Sequence, residues 1–367
     1  MPILTYDYQI FGSQKYGGIS RYFYELINHF ILDEVFQTYV VAPLYINSYL
    51  RKIPSKSIIG YSVPTIPKTW RLIEKSNLLL SSIWFLKHTP NIIHETFYRP
   101  QKLAPSQTKT IITVHDMIHE KFSHLSRPGD KISFAKKEAV NRADWIICVS
   151  ENTKKDLIDI WNIDSSKISV IYHGSSLFNF HTQESSEISS LEPYILYVGS
   201  RWNYKNFENL LRAYSNSTTL KNNFNLVCFG DRPLSNQEFT LIEELKIPRS
   251  KVVSVTGNDS KLAKFYQRAS IFVYPSFYEG FGIPLLEAMS MKCPIACSNT
   301  SCFPEIAGNA AEFFDPYDFE DMANAIEKVV FSSNRTKELI KLGEERVKTF
   351  SWSACIEKTK QAYLSLA

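Results

Sequence analysis

A chain of 367 residues is too long for one ordinary core and suits two, since domains usually hold roughly 100 to 200 residues. Its 44% hydrophobic and 21% charged residues exclude a disordered or fibrous chain, and no apolar run reaches the roughly 20 residues that a membrane-spanning helix needs. Charge is uneven: residues 1–178 carry 21 Lys and Arg against 15 Asp and Glu, and residues 179–367 carry 20 against 22, so attraction to an anionic membrane, a phosphorylated lipid or a nucleic acid belongs to the first half.

The opening MPILTYDYQIFG has no basic region ahead of an apolar stretch and a cleavage site, so no secretory signal is expected. The expected location is cytoplasmic, either free or peripheral on the inner face of the plasma membrane. Short runs rich in Ile, Val and Tyr follow at 3–8, 38–42, 91–95, 110–116, 144–150 and 168–174. Helix-length stretches such as Ile19 to Ile31 and Ile132 to Arg142 separate them, the pattern of buried parallel strands with crossover helices. Lys68 to Lys87, KTWRLIEKSNLLLSSIWFLK, mixes basic, aromatic and aliphatic residues. It either packs on its own sheet, the commoner outcome, or lies on a membrane surface.

Between Leu177 and Glu192 the chain turns polar and loses its apolar period, as a linker does. Strand-like runs resume at 194–199, 225–230, 251–255, 271–275, 294–298 and 311–315. The expected organisation is an α/β chain of two doubly wound Rossmann-like domains, residues 1–178 and 193–349. A linker at 179–192 joins them and a terminal helix occupies 350–367. The six cysteines read as reduced, packed thiols. Cys293, Cys297 and Cys302 lack a nearby histidine or fourth cysteine, so no metal site is expected.

Open parallel sheets bind ligands outside the carboxyl ends of their strands, which directs attention to residues just past those runs. After IFVYPS comes YEGFGIPLLEAM, Tyr278 to Met289. Gly280 and Gly282 let the backbone approach a ligand closely, and Pro284 suits the first turn of a helix. The amides of that first turn suit an anion or a sugar hydroxyl. Glu279 in the loop and Glu287 on the helix offer carboxylates that accept paired hydroxyls. Gly17 and Gly18 precede another helix, whose first amides suit a phosphate, or serve only as a turn.

This segment resembles the signature of retaining glycosyltransferases of family 4, which have the two-domain B-type (GT-B) fold. The likeness extends to GGI (17–19), VHDM (114–117), VSENTKKDL (149–157), VIYHG (170–174), YVGSRWNYKNF (197–207), PEIAG (304–308) and FSW (350–352). It implies two domains facing across a cleft, with the final helix crossing back to the first. It also implies roles: Glu287 holds the nucleotide ribose, Glu279 touches the transferred sugar, and the amides of Gly280, Phe281, Gly282 and Ile283 bind sugar or phosphate. Arg201 and Lys205 grip the diphosphate, Gly17 and Gly18 cap it from the first domain, and His115 approaches the donor sugar. His173 and Gly174 line the hinge.

Two fixed cations facing the leaving diphosphate do electrostatic work otherwise done by a magnesium ion, so a metal-independent enzyme with no cofactor is expected. His115 is expected to position sugar rather than act as a base, because its neighbour Asp116 points elsewhere from a strand end. Likeness to mannosyltransferases implies GDP-mannose as donor, and a glycan or polyprenyl-diphosphate-linked oligosaccharide as acceptor, in surface-polysaccharide synthesis of O-antigen or capsule type. Contact with an anionic membrane is compatible with this; a nucleic-acid partner is not expected. Glucose, galactose, rhamnose and N-acetylhexosamine remain open as the sugar, as do an epimerase or a non-catalytic glycan-binding protein on the same fold.

Overall fold

Strands rich in Ile and Val, buried on both faces, require helices on both sides of a parallel sheet, and the chain builds this twice. A computed structural model describes residues 1–123, 131–175, 190–191, 193–201, 203–230 and 232–367. It divides into two compact units, Met1–His173 with Trp352–Ala367, and Gly174–Ser351. Of the expected linker, 179–189 and 192 lie outside the described residues.

Among the described residues the first unit holds seven strands: β1 (Ile3–Asp7), β2 (Gln37–Tyr45), β3 (Ile58–Ser62), β4 (Ile92–Glu95), β5 (Lys109–Val114), β6 (Trp145–Cys148) and β7 (Ile168–Val170). They pair in parallel in the order β3-β2-β1-β4-β5-β6-β7. Six further strands form the second sheet: β8 (Tyr194–Val198), β9 (Asn225–Phe229), β10 (Val252–Val255), β11 (Ile271–Tyr274), β12 (Ile295–Ser298) and β13 (Glu312–Phe314). Their order is β10-β9-β8-β11-β12-β13, again all parallel. In each sheet the order of winding reverses once, between β1 and β4 and between β8 and β11. Loops leaving the two strands at such a switch point diverge and open a crevice at their carboxyl ends.

Each sheet has its own core. Leu4, Tyr6, Phe23, Leu26, Val40 and Ile92 centre the first, and Ile195, Leu210, Leu226, Val273 and Ile326 the second. The final helix, Trp352–Leu364, belongs to the first unit. Buried Tyr363 sets its hydroxyl 3.0 Å from that of Tyr6 and 2.7 Å from His94 Nδ1, while Lys360 Nζ reaches Asp33 Oδ2 at 2.6 Å.

β3 was not expected from the sequence. It is a half-exposed edge strand with Gly60 at its centre, so its apolar run is too short to register. Gly60 has φ +153, and a Cβ there would sit 1.7 Å from the Ala42 carbonyl oxygen. The strand thus fits a register shift between Val41 and Leu44 in β2 through the missing side chain.

Candidate active site

At the switch point of the second sheet, the segment after β8 carries Lys205 and the segment after β11 carries Glu279. Lys205 Nζ lies 2.6 Å from Glu279 Oε1, both side chains largely buried. The two segments are held in register by their backbones, Phe277 N donating to Tyr204 O at 2.9 Å. Asn206, at φ +57, turns its amide to the carbonyls of Pro275 (2.9 Å) and Pro316 (2.7 Å). A third strand end joins: Ser301, after β12, accepts from Glu279 N at 3.2 Å and donates to Glu279 O at 2.6 Å. Tyr274, the last residue of β11, has its hydroxyl pKa pushed far up by burial and by the Glu279 carboxylate beside it. It therefore stays a neutral donor.

Arg201, on the same segment as Lys205, is engaged differently. Its Nε donates to Glu238 Oε1 at 2.6 Å, and Nη2 donates to the carbonyls of Arg232 (3.0 Å) and Pro233 (2.7 Å). Burial alone would raise the Glu238 pKa. Hydrogen bonds from Ser235 and from Arg201 outweigh it and hold the carboxyl below its ordinary value. Buried Nη1 has no hydrogen-bond partner among the described residues. A buried donor left unmade is costly, and here it leaves a cation with N–H groups to offer. A cavity of about 570 Å³ borders Arg201 and Glu238 and extends to Asn203, Arg232 and Phe277. Of the expected donor-site residues Arg201 lines it, and Lys205, Glu279 and Glu287 do not.

Gly282 caps the Ile283–Ser290 helix in the left-handed region, φ +85, which accounts for glycine there. Pro284 lies in the first turn, where the amides have no intrahelical acceptor. Phe281 is buried with its ring against Phe350, centroids 5.9 Å apart, so the Gly280–Gly282 turn is fixed by packing. On the same helix, half-buried Glu287 accepts a hydrogen bond from the Tyr266 hydroxyl at 3.2 Å. The second unit thus brings Lys205 and Glu279 into contact and sets Arg201 against Glu238.

His115, Gly17 and Gly18 belong to the first unit. His115 follows β5, stacked on His173 with centroids 6.0 Å apart and edge-on to Tyr22 at 5.4 Å. Burial pushes its pKa down to about 4, so the ring is neutral near pH 7, and its buried Nε2 has no partner among the described residues. Asp116 does not orient it: Asp116 Oδ1 accepts from Ile118 N at 3.1 Å and lies 3.6 Å from Lys136 Nζ. Gly17 caps the Gly18–Phe30 helix. There the Ser20 amide donates to Gln14 Oε1 at 3.2 Å, so one donor of that helix end already has a partner within the protein.

Sequence reasoning passed over Ser301, Tyr274, Tyr266 and Glu238. Ser301 and Tyr274 were within reach of the strand-end rule, since one follows β12 by a few residues and the other ends β11. Glu238 and Tyr266 were not, because each meets its partner across more than twenty residues of sequence with no local pattern.

A pair of doubly wound parallel sheets of this order, with cations and carboxylates gathered at the second switch point, is the GT-B class of glycosyltransferase fold. The chain belongs to that glycosyltransferase family: residues 16–177 match Glycosyltransferase Family 4 and residues 180–346 match Glycosyl transferases group 1. The O-antigen chain mannosyltransferase RfbU of Salmonella typhimurium is 28% identical over 285 residues, which is 74% of this chain and 77% of RfbU. The O-antigen chain mannosyltransferase B of Escherichia coli is 28% identical over 294 residues, 76% of this chain and 74% of that protein. Among solved structures, sucrose-phosphate synthase from Thermosynechococcus elongatus superposes with a TM-score of 0.76 at 18% identity, covering 100% of this chain and 98% of that one. WaaG, a glycosyltransferase involved in lipopolysaccharide biosynthesis, gives 0.71 at 15% identity, covering 97% and 98%. These structural likenesses establish the fold.

Proposed function

We propose that this chain is a retaining, metal-independent hexosyltransferase. It moves mannose from GDP-mannose to a glycan or polyprenyl-diphosphate-linked oligosaccharide in O-antigen or capsule synthesis, at the inner face of the plasma membrane. The observation that carries the reading is the Lys205–Glu279 pair at 2.6 Å, set at the switch point of the second sheet beside the Gly282-capped helix. A lysine ammonium has three N–H donors and Glu279 takes one, which leaves the charge available to a diphosphate. The leaving nucleotide diphosphate gathers negative charge as the sugar bond breaks, and fixed cations and helix amides lower that barrier without reorganising.

Glu279 then accepts a sugar hydroxyl and Glu287 the ribose hydroxyls. Retention follows if the departing phosphate takes the acceptor's proton on the face from which it leaves. His115, neutral and with an unpartnered Nε2, is assigned to positioning a hydroxyl. The mannosyl assignment is supported by the two O-antigen mannosyltransferases, each matching about three quarters of the chain. A thermal-shift panel of GDP, UDP, dTDP and their sugars in EDTA tests it, since a ligand that binds the folded state raises its melting temperature. Stabilisation by GDP and most strongly by GDP-mannose is expected. A response to UDP- or dTDP-sugars alone overturns the donor, and a response that appears only with added magnesium overturns metal independence.

A further inference from the structure

The Trp70–Lys87 helix is buried against its own composition. Its inward positions are Asn77, Ser81 and Phe85, with Asn77 clasping Leu44 through Oδ1 to the amide (2.7 Å) and Nδ2 to the carbonyl (2.8 Å). Leu72, Leu79, Ile83 and Leu86 lie on the opposite side, at a spacing of i, i+7, i+11 and i+14 that forms one line along a helix. They are 67%, 62%, 43% and 85% exposed. A helix that turns asparagine and serine inward and a line of aliphatics outward is not explained by the core it packs on.

Exposed Arg71, Lys75 and Lys87 flank that line, and Arg71 rests over the Trp70 ring at 5.2 Å. The helix's one carboxylate, Glu74, is exposed, but it lies on the side that bears Asn77 and Ser81 and lines the neighbouring cavity, so the line of aliphatics has cations and no acid at its flanks. No helix among the described residues is long and apolar enough to cross a bilayer, and this one, about 27 Å long at ~1.5 Å per residue, has the dimensions to lie in the plane of an interface.

We propose that the Leu72–Leu79–Ile83–Leu86 ridge is the surface by which the first unit docks on an anionic phospholipid bilayer. The flanking cations meet lipid phosphates while the ridge enters the boundary between headgroups and acyl chains. Charge decides against a second copy of this chain as the occupant, because pairing two such faces brings cations to cations. The same helix walls a cavity of about 750 Å³ with Trp70, Ile73 and Asn77, opposite Tyr8 and Arg99. Docking by the ridge sets that cavity about one helix diameter, ~10 Å, behind the lipid surface, which matters to activity where the acceptor is lipid-linked, and in that respect rests on the proposed function.

Sedimentation of the full chain with phosphatidylcholine vesicles, with and without phosphatidylglycerol, tests the proposal. The protein is expected to sediment with the anionic vesicles and at least about tenfold less with the neutral ones. Leu72→Ser, Leu79→Ser, Ile83→Ser and Leu86→Ser combined should lower binding at least about tenfold with an unchanged circular dichroism spectrum, the side chains being outside the core. Arg71→Glu with Lys75→Glu should remove the preference for anionic lipid. Wild-type protein left in the supernatant overturns the proposal, as do serine or glutamate variants that bind like wild type, or a dimer that the serine variant dissociates in place of any lipid binding. None of these outcomes depends on which nucleotide sugar is bound.

Discussion

Lys205 and Glu279 form an ion pair that is mostly sheltered from water, so each leaves the other exposed to a desolvation cost when removed. Lys205→Ala should lower transfer from the donor by about 100-fold or more, the range for loss of one preorganised transition-state contact. Lys205→Arg should restore part of it, because charge is kept while the point geometry is not. Transfer assays with both variants check this. Arg201 calls for a different expectation. Its side chain is 1% exposed and gives three hydrogen bonds, so Arg201→Ala strips buried carbonyls and the Glu238 carboxylate of a partner. A loss of about 2–4 kcal/mol in urea unfolding is expected, beside any loss of activity. At this scale the sequence told which residue types follow which strand. It did not tell which cation meets which carboxylate, because Arg201 and Glu238 are 37 residues apart and Glu238 reads locally as the third residue of a capping box with Ser235.

Among elements, the strands were the most legible, because a run of Ile and Val buried on both faces has few other uses. Edge strand β3 was the least legible, because half of it faces water and its fit depends on Gly60. Gly60→Ala would drive a Cβ into the Ala42 carbonyl, and should cost about 2 kcal/mol or more, read as a lower melting temperature of the first unit. The carboxyl ends of β4, β5 and β7 also define a pH response. Burial holds His94 and His173 near pKa 3 and His115 near 4, against an ordinary 6.5. Between about pH 6.5 and 4 the unfolded chain takes up protons that the folded chain refuses, so stability falls with pH, by up to about 2 kcal/mol per histidine at pH 5.

Glu95 works the other way. Burial, opposed by Arg142, pushes it up to about 7, so its folded carboxyl holds a proton that the unfolded one gives up. Its contribution is present at low pH and lost as pH rises through 7. Three histidines against one glutamate leave the first unit less stable at pH 5 than at pH 7.5. Unfolding midpoints at the two pH values check the sign.

For the whole molecule, one winding order used twice gives two switch points, and the family match spans both units. The glycosyltransferase class was legible because YEGFGIPLLEAM places special backbone, helix start and two carboxylates within twelve residues. The direction faced by Trp70–Lys87 was not, because composition alone does not say which side of a helix meets the sheet. Donor identity is equally illegible, since base recognition has no local pattern in this chain. The proposed function requires the second unit to bind a guanosine-diphosphate sugar without metal. Isothermal titration of GDP-mannose in EDTA, into wild type and Glu287→Ala, tests it most directly. Saturable binding to wild type, weakened at least about tenfold by the substitution, a loss of ~1.4 kcal/mol, is the predicted result. No binding to wild type, or equal affinity in the two proteins, would contradict it.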